Sequence, residues 1–129
     1  MNKFLPGITL VVGWMLVAIP SPAVAQDCEN GATNMDEVRS CLYVMQQKPL
    51  DRTYGDTLSF VRSRDPKAAD LLAAAQKSWE KFASDSCDYT AAAQTPNSGY
   101  ADDTRLNCMA TFTDARIKAL KAYRQQLGH

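Results

Sequence analysis

Four cysteines, Cys28, Cys41, Cys87 and Cys108, offer the most chemistry in this chain of 129 residues. Cysteines can hold a metal, exchange electrons or form disulfides. No C-x-x-C pair occurs and the single histidine is the terminal His129, so a zinc site or a thioredoxin-like centre lacks its ligands. An even count of cysteines in a small exported chain reads as a disulfide framework. Three pairings are open. Proximity along the chain favours Cys28–Cys41 with Cys87–Cys108. Nucleophilic catalysis lacks its base, because without an internal histidine no Ser–His or Cys–His pair can form. Asp102 and Asp103 are adjacent and cannot by themselves flank a substrate as an acid–base pair. They suit the first turn of a helix, where carboxylates complement the dipole. The expectation is a protein with no catalytic residue, no metal and no cofactor.

Export is read from the first residues. Lys3 supplies a positive start, an apolar run spans Ile8 to Ile19, and Pro20, Pro22 and Ala23-Val24-Ala25 follow. That order predicts a signal peptide over 1–25, cleaved after Ala25. The apolar run falls short of the roughly 20 residues a membrane helix needs, so no anchor is expected after cleavage. The remaining 26–129 is enough for one domain. Its thirteen basic and fourteen acidic residues nearly cancel, which argues against a nucleic-acid binder.

Helix signals position the cysteines. Thr33-Asn34 can cap a first helix whose Met35, Val38, Leu42 and Met45 share a face. Pro49 should break or kink it. Leu50, Tyr54, Leu58 and Val61 resume the stripe. Asp65-Pro66 opens a second helix, with Leu71, Leu72, Ala75, Trp79 and Phe82 inward as far as Cys87. Asp88–Asp103, with Pro96, Asn97, Ser98 and Gly99, reads as a loop. The last helix runs from about Asp103 to Leu127, with Met109, Phe112, Leu120, Tyr123 and Leu127 inward and Gly128 as the stop. The expected fold is all-α: a small antiparallel three-helix bundle with two disulfides, all four cysteines at one end. Tyr54, Trp79, Phe82 and Phe112 are expected in the core. Arg116 falls on the inward stripe, where a charge needs a partner or a route to water.

The run Ala75-Gln76-Lys77-Ser78-Trp79-Glu80-Lys81-Phe82, followed by Cys87, resembles the A-Q-x-x-W-x-x-[YF]-x-x-x-x-C core of the LprI-type lysozyme-inhibitor domain family. Cys28 through Thr33 to Cys41, then Leu50-Asp51 and Tyr54, look like that family's first helix. Cys108 followed by Thr113, Ala115 and Arg116 is similar to its last. The chain departs from the pattern at Pro49 and at Asn97-Ser98-Gly99, which stands where a Gly-Gly-Ser turn is common. The resemblance implies a domain over 26–129 that inhibits lysozyme in the bacterial periplasm or outside the cell. It implies a muramidase as partner, bound by a monomer or weak oligomer.

Charge placement suggests where such a partner would dock. The stapled end should gather Asp27, Glu29, Asp36, Glu37, Asp85, Asp88, Asp102 and Asp103, opposed mainly by Arg39, Lys81 and Arg105. An acidic pole results, and complementary potential speeds docking of a cationic protein. Asp88, Asn97, Tyr100, Asp102 and Asp103 are the expected contact residues. An envelope interaction module or an immunity-type protein with a non-lysozyme target is the alternative reading.

Overall fold

Each long helix begins at a local signal. Asn34 caps the first by accepting from the Glu37 N–H at 3.0 Å. Glu37 reaches back to the N–H of Thr33 at 2.7 Å and to its hydroxyl at 3.1 Å, so otherwise orphaned donors of the first turn find acceptors. Asp65 accepts from the Ala68 N–H at 3.1 Å and Pro66 supplies the first helical residue. Asp102 and Asp103 occupy the first turn of the last helix, as their charge favours.

The computed structural model describes residues 23–96 and 98–128. Four helices follow in order: α1 (Ala23–Gly31), α2 (Met35–Arg62), α3 (Pro66–Gln94) and α4 (Ala101–Leu127). The apolar run Ile8–Ile19, with most of the expected signal peptide, lies outside the described residues. Among those residues, no helix is long and apolar enough to cross a membrane.

Ion pairs and hydrogen bonds set the register. Arg39 on α2 meets Asp103 on α4, and Gln47 meets Thr113, so α2 and α4 run in the same direction. Arg105 pairs with Asp88, and Arg116 with Gln76. As the α4 number rises its α3 partner's falls, which makes α3 and α4 antiparallel. The architecture is the expected up-down-up bundle, with α1 as an added piece. Both disulfides form as chain proximity favours: Cys28–Cys41 joins α1 to α2, and Cys87–Cys108 joins α3 to α4. Their Cα separations, 5.6 and 5.5 Å, need no backbone distortion.

The core is thin. Ala69, Ala83, Cys87 and Leu120 are fully buried, with Leu50, Val61 and Met109 close behind. Alanines at the interface let helix backbones approach closely. Fully buried Thr57 donates to the Thr53 carbonyl at 2.7 Å, which answers a hydroxyl that would otherwise be costly to bury. Such a core buries few large side chains, so covalent bridges matter more to this domain than to a larger one.

Several expectations are settled or corrected. Of the two outcomes left open at Pro49, the break does not occur, because α2 runs unbroken from Met35 to Arg62. The ring is exposed, and Leu50 and Val61 beyond it are buried, so packing beyond the proline offsets one lost backbone bond. A short helix, α1, covers Ala23–Gly31, where none was expected. Another correction is the second helix, which continues past Cys87 to Gln94. Ala91-Ala92-Ala93 are strong helix formers, Ala91 is buried, and Thr90 and Thr95 donate to carbonyls one turn back.

Phe82 is a further correction: it is 61% exposed and not a core residue. The inward positions of α3 are Ala69, Gln76, Ala83, Cys87 and Ala91. Phe82 lies about 100° around the helix from Ala83 and touches only the bundle's margin. There it meets Phe112 edge-on, with ring centroids 5.6 Å apart. Leu71 is exposed for the same reason, and Met35, Tyr123 and Leu127 are exposed near helix ends. Tyr54, Trp79 and Phe112 are half-buried, Trp79 and Phe112 packing against Ala83, Cys87 and Met109.

Candidate functional site

Because α2 and α4 start at the same end, their first turns stand side by side. On α2, Asp36, Arg39, Ser40, Tyr43 and Val44 recur at helical spacing and form one face. On α4, Asp102, Arg105 and Leu106 do the same. Between them lies an open groove of about 380 Å³. Tyr43 and Val44 are 38% and 51% exposed, so the groove has an apolar wall facing water.

Salt links organise the charged rim. Arg39 donates from Nε to Asp103 at 2.8 Å and from Nη1 to Asp36 at 3.0 Å, bridging α2 to α4. The hydrogen bond from Arg39 holds the Asp103 carboxyl below the usual carboxylate range, and the bond to Asp103 raises Arg39 in turn. Arg105 donates to Asp88 on α3 and to Ser84 Oγ at 3.1 Å. Lys81 pairs with Asp85 at 2.6 Å, which raises the lysine. Glu37 is lowered by the Thr33 backbone N–H and then by its hydroxyl.

The expected acidic pole is therefore partly spent on internal contacts. Asp36, Asp85, Asp88 and Asp103 each hold a basic side chain. Asp102 has no ion-pair partner among the described residues and lies exposed on the groove's rim. Of the expected contact residues, Asp102 and Asp103 flank the groove, and Asp88 reaches it through Arg105. Tyr100 is 70% exposed and sits at the cap of α4 without a capping side-chain bond. Asn97 lies outside the described residues. The loop itself is shorter than Asp88–Asp103, since Asp88–Gln94 belong to α3 and Ala101–Asp103 to α4.

Tyr43, Val44 and Leu106 were missing from the expected site. The signal for the first two was present in the sequence. They are apolar yet fall beside the Val38–Leu42–Met45 stripe, which leaves them no core position. A second, polar depression lies between α3 and α4, lined by Thr90, Gln94, Thr104, Asn107, Cys108 and Thr111.

Arg116 forms a different kind of site. It is 9% exposed, donates from Nε to Gln76 Oε1 at 2.9 Å, and places its guanidinium 5.7 Å from the Trp79 ring centroid. Gln76 passes the contact on to Glu80 at 3.2 Å. Arginine Nη2 has no hydrogen-bond partner among the described groups. The sequence motif Gln76–Trp79–Arg116 is thus a buried fastener between α3 and α4.

Among the described residues, no group of three or more His, Cys, Asp or Glu could hold a metal ion. All four cysteines are in disulfides. The groove's means are guanidinium, carboxylate, phenol and aliphatic surface, which suit recognition.

Neither the search of curated proteins nor that of solved structures returned a match. The family model described as Lysozyme inhibitor LprI matches residues 27–120, a span holding all three long helices' cores and both disulfides. The chain belongs to the LprI lysozyme-inhibitor family, a family of inhibitors and not of enzymes.

Proposed function

We propose that this protein is a periplasmic or secreted inhibitor that occludes a lysozyme-like muramidase with its stapled end. Family membership carries the reading. The geometry supports it: two disulfides and a lattice of ion pairs fix one end of the bundle while leaving Tyr43, Val44, Tyr100 and Asp102 exposed there. A rigid surface loses little side-chain and loop freedom on binding. Its acidic excess steers a cationic enzyme toward the same end. Cleavage after Ala25 would leave the rest of α1 tethered through Cys28–Cys41.

The test is a cell-wall clearing assay. Mature protein slows clearing by a cationic muramidase, and Asp102→Lys with Tyr100→Ala weakens the effect. Unaltered clearing at an excess of unmutated protein contradicts the proposal. The second reading, an envelope protein or immunity-type partner, draws on the resemblance itself, from whose Gly-Gly-Ser turn this chain departs with Asn97-Ser98-Gly99. Capture of one stable non-muramidase partner would favour it.

A further inference from the structure

We infer that the groove between α2 and α4 seats a basic side chain, lysine or arginine, projecting from the muramidase surface. The inference rests on the inhibitor reading and names what this part of the surface recognises. Size sets the first limit. About 380 Å³ is near the lower bound of small-ligand sites and takes one or two side chains, not a folded loop.

Charge sets the second. Four carboxylates, Asp36, Asp88, Asp102 and Asp103, stand around the groove against two guanidiniums, Arg39 and Arg105. Two helix N-termini add roughly half a positive charge each, which leaves an acidic balance. Both guanidiniums line the groove but already hold partners, Arg39 between Asp36 and Asp103 and Arg105 between Asp88 and Ser84. Asp102 is the carboxylate without an ion-pair partner among the described residues.

Shape sets the third. A lysine or arginine has an aliphatic stem and a charged tip. Val44 and Leu106 offer aliphatic surface to the stem, Tyr43 offers aromatic surface to the cation, and Asp102 offers its charge. An acidic side chain would meet Asp102, and a purely apolar one would strand it.

The test is calorimetric titration of a cationic muramidase with unmutated protein, Tyr43→Ala and Asp102→Asn. Both variants alter exposed positions, and circular dichroism with thermal unfolding checks that each retains the fold. Each variant weakens binding about tenfold, the loss expected for a central anchor contact. Asp102→Asn also flattens the dependence of Kd on salt, while Tyr43→Ala leaves that slope in place. Binding by the unmutated protein that persists at full strength in both variants overturns the groove assignment and leaves the inhibitor reading standing. Failure of the unmutated protein to bind removes both.

Discussion

Arg39 and Arg116 carry the same guanidinium into two regions that treat it differently. At the stapled end, Arg39 is partly buried, with a side chain 21% exposed, and bridges two carboxylates that are 86% and 42% exposed. In the middle of the bundle, Arg116 is buried against a neutral amide and an indole, and one of its nitrogens goes without a partner. Exposed ion pairs contribute little to stability. A buried cation is costly unless its surroundings compensate, and removing its partner costs more still. The stapled end therefore relies on covalent bridges and displays its charges. The middle adds one demanding contact to the packing of Trp79, Ala83, Met109 and Phe112 that holds α3 against α4.

The contrast can be broken in stages. Removing both cysteines of a bridge has the largest effect. Cys87→Ala with Cys108→Ala, or Cys28→Ala with Cys41→Ala, should each lower unfolding free energy by about 3 kcal/mol, read from urea midpoints. Next comes Arg116→Ala, expected to cost about 2 kcal/mol through lost packing and an orphaned Gln76 oxygen. Arg116→Met should cost less, because it fills the space without a charge. If Met costs as much as Ala, filling the space recovers nothing, the guanidinium's own contacts are the stabiliser, and the contrast sharpens.

Asn34→Ala removes the cap of α2 and should cost about 1 kcal/mol by the same measurement. Asp103→Asn should move the midpoint least at neutral pH. Its effect is visible in acid. Folding depresses the Asp103 and Glu37 carboxyls below their ordinary values of 3.8 and 4.5. Their contributions are full above those values and fade as pH falls through the lower folded ones. Asp103→Asn should flatten stability against pH in that window, and an unchanged acid limb would mean the Arg39 link does no stabilising.

Much of this fold was readable residue by residue. Asn34 and Asp65-Pro66 mark helix starts because capping is decided within one turn, and Asp102-Asp103 mark another by their charge in its first turn. The cysteine pairing favoured by chain proximity is the one formed. Phase was harder. Phe82 looks like core by size, yet Ala83 and Cys87 occupy the interface because close helices select small residues. The reach of α3 to Gln94 was hidden by Pro96 and Gly99, whose turn chemistry governs only the residues from Thr95 to Tyr100. The groove was the least legible feature. It exists only because α2 and α4 run parallel with their first turns together, and neither Tyr43 nor Leu106 reveals that alone.

In the proposed inhibitor the stapled end is the face that meets the enzyme. Hydrogen exchange on the protein, free and saturated with a cationic muramidase, reads this directly. Slowed exchange should gather in residues 36–44 of α2 and 98–106 around the start of α4, with residues 118–127 unchanged. Protection gathered instead at 118–127, or no protection anywhere in a mixture that inhibits clearing, would contradict it.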